Sequence, residues 1–130
     1  MPFSRIALIK GKSQEYLKAV SDSLHAALVE SFDVPPADIF QIIQQVEAHE
    51  LIFDRHYMGG PRSDDYILFN VIAGKPRSSA TKAAFFQCLV DKLKVSPGMR
   101  PEDVMVVIQT TNNDEWSFGF GKQTIIGAKP

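Results

Sequence analysis

The chain contains two segments that each occur twice, and this duplication constrains its fold more than any other feature. Residues 36–44 read PADIFQIIQ and residues 101–109 read PEDVMVVIQ, an offset of 65 positions (101 minus 36). Residues 9–13 read IKGKS and residues 72–78 read IAGKPRS, at an offset that starts at 63 and becomes 65 because two residues are inserted. Two matches in one order at nearly one offset predict a duplicated unit of about half the chain.

The first copy has the pattern of a strand, a helix and a second strand. Residues 3–9 predict a strand, and Ser13 is a candidate helix N-cap. Pro35-Pro36 ends the helix, and residues 39–46 predict the second strand. Between the cap and the prolines, apolar residues recur every three or four positions, as in an amphipathic helix: Leu17, Val20, Leu24, Leu28 and Phe32.

The second copy repeats this order. Residues 66–73 predict a strand, Ser78 or Ser79 a helix cap, and residues 104–108 the last strand. The buried face of this second helix is predicted to consist of Phe86, Leu89, Val90 and Leu93.

The remaining segments connect the two copies and close the chain. Residues 51–62 predict a hairpin linker, and the tail from Asn112 predicts a turn followed by a short strand. We expect one domain over residues 1–130, with repeat units at about 1–62 and 63–130.

Two strand-helix-strand units predict an α+β fold with a four-stranded mixed sheet. A crossover helix makes the two strands of each unit parallel. Such crossovers are nearly always right-handed, so both helices lie on one face of the sheet. The strands themselves are near-continuous apolar runs, as in residues 104–108, which is typical of strands buried on both faces. We therefore expect a homo-oligomer in which another subunit covers the second face. The alternative is a monomer whose tail folds back over it.

Composition excludes several classes of protein. Fourteen Lys and Arg against fifteen Asp and Glu give a net charge of −1 without a basic stripe, which argues against nucleic-acid binding. No apolar run reaches the roughly 20 residues that span a membrane, and the start of the chain does not resemble a signal peptide. A single cysteine, Cys88, excludes a disulfide framework and a multi-cysteine zinc site. We expect a cytoplasmic protein without metal or organic cofactor, membrane or nucleic-acid partner.

Four residues with acid-base or charged groups are predicted to meet at one edge of the sheet. If Met1 is removed, Pro2 carries a free secondary amine at the beginning of the first strand, and Asp38 opens the parallel second strand. With antiparallel central strands, Lys75 and Arg77 follow the third strand at the same edge. An amine beside a carboxylate and two cations suits a substrate that carries a carboxylate.

The sequence resembles the tautomerase superfamily, and within it the malonate semialdehyde decarboxylase-like group. The resemblance is carried by Pro2, by VPPAD at residues 34–38, by PRS at residues 76–78 and by NDEWSFG at residues 113–119. These motifs are spread over essentially the whole chain. The resemblance implies trimers of two-unit monomers that use an amino-terminal proline.

By the same resemblance, Pro2 is the acid-base residue, Asp38 is its carboxylate partner, and Lys75 and Arg77 bind the substrate carboxylate. Relatives carry arginine at both of the last two positions. Lys75 keeps the charge but lacks the planar fork of arginine, which leaves the orientation and identity of the substrate open. Trp116 and Phe118 would form an apolar wall of the pocket or would simply pack the tail.

The residues leave the reaction open, because it depends on the protonation state of the Pro2 amine. A cationic amine with Asp38 suits decarboxylation or hydration of a small oxo or unsaturated acid. A neutral amine suits keto-enol tautomerisation of arylpyruvate-like 2-oxo acids or an imine with an aldehyde. A noncatalytic, ferredoxin-like binding or assembly domain fits the same duplicated pattern. We favour the decarboxylase or hydratase hypothesis.

Overall fold

The computed structural model of the chain describes residues 2–127. Met1, whose removal the proline hypothesis requires, lies outside the described residues. The strands and helices follow the predicted order, with short 3-10 turns at Ala48–Glu50 and Pro101–Asp103: β1 (Pro2–Ile9), α1 (Gln14–Ser31), β2 (Gln41–Val46), β3 (Ile67–Ala73), α2 (Ser79–Val95) and β4 (Val104–Thr110).

The strands form one mixed sheet in the order β2-β1-β3-β4. β1 runs parallel to β2 and β3 runs parallel to β4, whereas the central pair β1 and β3 is antiparallel. The predicted α+β fold is confirmed. This topology puts the beginnings of β1 and β2 at the same end of the sheet as the last residues of β3 and β4.

Both helices begin at the serines that the sequence suggested. The Ser13 side chain accepts a hydrogen bond from the Tyr16 backbone N–H, and Ser78 does the same for Thr81. Such caps satisfy amides that have no partner within the helix. The helices then pack on one face of the sheet and bury the alternate residues of the central strands, among them Ile6, Leu8, Phe69 and Val71.

The buried face of α2 differs from the predicted one. Phe85 is fully buried with Leu89 and Leu93, whereas Phe86 is 38% exposed. Phe85, Leu89 and Leu93 are spaced at four residues and therefore share one helix face. Phe86 is rotated about 100° away from that face, so the prediction that Phe86 belongs to the buried face is wrong.

The linker and the tail also differ from expectation. Residues 51–66 contain turns and bends but no paired strands, so the predicted hairpin is wrong. The Asp54 carboxylate accepts hydrogen bonds from the backbone N–H groups of His56 and Tyr57, which favours a local turn over strand pairing. In the tail, the predicted strand is reduced to a single bridge between Trp116 and Thr124.

The face of the sheet opposite the helices remains partly uncovered in residues 2–127. Its residues include Ile42, Met105 and Val107, which are 41%, 42% and 40% exposed. The tail packs at the end of the sheet instead, where Ile126 is buried beside Gly74. Among residues 2–127 there is no helix of the length and apolarity that a bilayer crossing requires.

Candidate active site

Pro2 lies buried at the end of the sheet where β1 begins. It pairs with Ala73, the last residue of antiparallel β3. Two residues later, the Ser4 backbone N–H donates to the Phe40 carbonyl at 3.0 Å, so the segment entering β2 lies directly beside the beginning of β1. The structure therefore brings the segments before β2 and after β3 to either side of Pro2.

Asp38 lies on the first of these segments and is only 7% exposed. Its backbone N–H donates to the Pro35 carbonyl at 3.0 Å, which closes the turn before β2. This turn explains why β2 begins at Gln41 rather than at the predicted residue 39. Burial raises the pKa of the Asp38 carboxyl, and nearby positive charge, including His25 and Arg77, opposes that shift.

Arg77 lies on the second segment and is held tightly. Its two terminal nitrogens donate to the carbonyls of Lys75 and Phe32, each at 2.9 Å, and its guanidinium lies 4.2 Å from the centre of the Phe32 ring. Burial lowers the pKa of Arg77, an effect that Asp33 and Asp38 oppose, and an arginine with a lowered pKa still stays charged near neutral pH. Its Nε is buried without a hydrogen-bond partner in residues 2–127, so that edge of the fork faces no protein acceptor.

Lys75 is oriented differently from Arg77. Its ammonium lies 3.2 Å from the Asp33 carboxylate, in a pair that is exposed to solvent. The structure therefore puts Lys75 at the rim, already paired, while Arg77 lies within electrostatic range of Asp38.

Aromatic rings line the same end of the sheet. Trp116 and Phe118 stack with ring centres 5.8 Å apart, and Phe118 contacts Phe40 with centres 5.6 Å apart. The Trp116 indole N–H donates to Thr111 Oγ1 at 2.7 Å, immediately after β4. The predicted aromatic pair is thus a row of three rings, and Phe40 is the member that sequence reasoning missed. Its position two residues after Asp38, at the entry to β2, was the available signal.

Gly74 allows the tail to approach the end of β3. A Cβ atom at this position would lie 2.9 Å from Ile126 Cγ1 and 3.1 Å from Trp116 Nε1, closer than packed atoms tolerate. The Thr111 backbone N–H also donates to the Ala73 carbonyl at 2.9 Å. These contacts hold the aromatic row next to the residue that pairs with Pro2.

His25, on α1, makes a specific contact with the turn that carries Asp38. Its Nε2 lies 2.8 Å from the Pro36 carbonyl, two residues before Asp38. His25 Nδ1 and Ser4 Oγ are buried and have no hydrogen-bond partner in residues 2–127. Buried polar atoms without partners are uncommon, and here they belong to elements that surround Pro2. Among residues 2–127 there is no cluster of three or more potential metal ligands.

The fold and this end of the sheet define a class: a duplicated β-α-β protein with charged and aromatic side chains where its amino-terminal strand begins. A family model described as "Tautomerase enzyme" matches residues 38–119, and a second model of the same description matches residues 2–65. Probable tautomerase YusQ of Bacillus subtilis (strain 168) is 31% identical over 126 residues, which are 97% of this chain and 99% of that protein.

Solved structures agree with these matches. Malonate semialdehyde decarboxylase, described with decarboxylase and hydratase activities, superposes with a TM-score of 0.87 at 31% identity over 92% of both chains. A symmetric trimer of fused 4-OT shares the fold with a TM-score of 0.75 at 23% identity, covering 93% of this chain and 94% of that one. The chain belongs to the tautomerase superfamily, in its malonate semialdehyde decarboxylase-like branch.

Proposed function

We propose that this protein is an enzyme that uses a free amino-terminal Pro2 as acid-base residue on a small oxo or unsaturated carboxylic acid. The reaction we favour is decarboxylation or hydration. The observation that supports it most is the burial of Asp38 beside the beginning of β1, within electrostatic range of Arg77.

Each residue has a defined task in this proposal. The Asp38 carboxylate favours the cationic form of the nearby Pro2 amine, since opposite charges stabilise each other in a buried site. In decarboxylation, the carboxylate of a 3-oxo acid leaves as carbon dioxide, and cationic Pro2 donates its proton to the carbanion that remains. In hydration, Asp38 takes a proton from water as the water adds to the unsaturated carbon, and Pro2 protonates the neighbouring carbon.

Arg77 binds the substrate carboxylate in both reactions. Two of its five N–H donors already serve the Lys75 and Phe32 carbonyls, and the others remain for a substrate carboxylate. Lys75 supports binding from the rim as a point charge rather than as a second fork.

A keto-enol tautomerase for arylpyruvate-like acids is the second candidate. The aromatic row of Phe40, Phe118 and Trp116 favours it, because stacked rings can accept the ring of such a substrate. Here a neutral Pro2 removes a proton beside the carbonyl and Arg77 stabilises the enolate.

We also propose that the protein assembles as a homotrimer through the sheet face that carries Ile42, Met105 and Val107. These side chains stay about two-fifths exposed in one chain. An apolar sheet face of this kind is typical of a subunit interface.

The test uses protein in which mass spectrometry verifies a free Pro2. A panel of 3-oxo acids, unsaturated acids and arylpyruvates is followed by carbon dioxide release and by proton exchange, for wild type and for Pro2→Ala. We expect turnover of at least one class and a loss of about 100-fold or more in the variant. Equal activity in Pro2→Ala, or no turnover of any member, would contradict the proposed function.

A titration of 15N-labelled Pro2 by NMR separates the two candidates. A cationic amine at neutral pH with carbon dioxide release supports the decarboxylase. A neutral amine, with proton exchange on arylpyruvates and no carbon dioxide release, supports the tautomerase instead.

A further inference from the structure

We propose that His25 is a positioning residue of the active site, which holds the turn that carries Asp38 and adds positive charge beside that carboxylate. This inference rests on the proposed function, because it gives His25 its role through Asp38 rather than through direct contact with substrate.

The first part of the argument is the contact between His25 and Pro36. The Pro36 carbonyl can only accept a hydrogen bond, so His25 Nε2 at 2.8 Å must carry the proton. In the neutral ring this leaves Nδ1 as a buried acceptor, and Nδ1 has no partner in residues 2–127. A proton gained at Nδ1 would therefore add a buried positive charge to α1 without breaking the contact with Pro36.

A second contact from the same helix face fixes the other end of this segment. The Ser21 hydroxyl donates to Gln41 Oε1 at 2.5 Å, and the Gln41 amide donates back to the Ser21 carbonyl at 3.3 Å. Ser21 and His25 are four residues apart, so they lie one above the other on α1. Asp38 thus sits on a short stretch, Pro36 to Gln41, whose two ends are bonded to one helix.

A positive charge on the His25 ring acts on the same carboxylate. The groups that act on Asp38 from neighbouring elements include His25 on α1 and Arg77 after β3, and both favour its ionised form. Burial acts in the opposite direction and is the largest effect. His25 is therefore one of the groups that determine which fraction of Asp38 is ionised and able to stabilise a cationic Pro2 amine.

Two substitutions separate the contact from the charge. In His25→Gln, the side-chain amide can still donate to the Pro36 carbonyl but cannot become charged. In His25→Leu, both the contact and the charge are lost. His56→Gln serves as the matched control, because His56 lies exposed in the linker.

The decisive measurement is the titration of the Asp38 carboxyl carbon by 13C NMR, which needs no substrate. We expect the midpoint to rise by about half a pH unit or more in His25→Gln and to stay at the wild-type value in His56→Gln. We expect His25→Leu to lose, in addition, about tenfold in kcat/KM as the turn shifts.

An unchanged Asp38 midpoint in His25→Gln would overturn the inference, as would wild-type kcat/KM in a folded His25→Leu. The proposed function fails separately, when Pro2→Ala is as active as wild type. Because the Asp38 titration is read without turnover, the two failures are distinguishable.

Discussion

Asp103 follows Asp38 by 65 positions (103 minus 38), and the fold uses these two matching carboxylates in different ways. Asp103 is fully buried and accepts hydrogen bonds from both the backbone N–H and the hydroxyl of Ser63, each at 2.7 Å. It thereby ties the segment before β3 to the beginning of β4. Asp38 instead lies beside the amino-terminal strand, in the field of Arg77 and His25. One copy of the duplicated aspartate thus serves the fold, and we propose that the other serves the chemistry.

Substitution of these two aspartates by asparagine is predicted to have opposite effects. Asp103→Asn weakens the bonds to Ser63 and is expected to lower the free energy of unfolding by about 2 kcal/mol. Asp38→Asn removes a carboxylate whose ionisation is opposed by burial and is expected to raise the melting temperature at pH 7, while kcat falls about 100-fold. Thermal melts and kinetics on the same preparations check both.

The pH dependence of stability follows from the raised pKa of Asp38. Because the folded chain binds this proton more tightly than the unfolded chain, the ionised carboxylate destabilises the fold above its folded pKa. That destabilisation is lost as the pH falls through the raised pKa of the folded chain toward 3.8, the ordinary pKa of an aspartate carboxyl. The difference in unfolding free energy between Asp38→Asn and wild type should therefore shrink on acidification. If this difference in unfolding free energy stays constant from pH 7 to pH 4, burial of the ionised Asp38 carboxylate does not destabilise the fold.

Arg77 and Lys75 are predicted to contribute unequally to substrate binding. Arg77→Lys keeps the charge but loses the fork and its contact with Phe32, so we expect kcat/KM to fall about 100-fold. Lys75→Ala should raise KM only about threefold, since its ammonium is exposed and paired with Asp33. Arg100→Lys, at an exposed pair with Glu102, is the control and should change neither constant.

The ion pair between Lys75 and Asp33 is predicted to hold the Lys75 ammonium away from the substrate. Asp33→Asn releases Lys75 and should lower KM for a carboxylate substrate by about twofold, an effect that added salt reduces. An increase in KM would mean that the Lys75–Asp33 pair itself forms part of the binding site.

The aromatic row is predicted to select among substrates. Phe118→Ala opens the stack between Phe40 and Trp116 and should lower kcat/KM for arylpyruvates about tenfold. Its effect on three-carbon acids should stay within about twofold, since these carry no ring to stack on the aromatic row and depend mainly on Arg77. Equal losses for both classes would indicate that the row only packs the tail. Steady-state kinetics on the two classes provide the comparison.

The open face of the sheet is predicted to hold the assembly together. Val107→Glu puts a charge among the exposed apolar residues of β4 and should convert the oligomer into monomers or insoluble protein. Val95→Glu, at an 85% exposed position at the end of α2, is the control and should leave the mass unchanged. Light scattering after gel filtration measures the mass. An unchanged mass for Val107→Glu would rule out this face as the interface.

The sequence by itself determined the strands, the helices with their serine caps, and the mixed sheet. These features depend on local periodicity and on the duplication, which are visible along the chain. It also predicted that Pro2, Asp38 and Arg77 lie at one end of the sheet, because parallel strands begin at a common edge. The roles of these three residues remain proposals.

Only the tertiary structure decided which side chains meet at that end. The contact of His25 with Pro36, the pairing of Lys75 with Asp33 and the addition of Phe40 to the aromatic row all join elements that are distant in sequence. The burial of Phe85 instead of Phe86 likewise depends on how α2 is rotated on the sheet. Helix rotation and loop path are set by packing of the whole core, and a local pattern of residues does not contain that information.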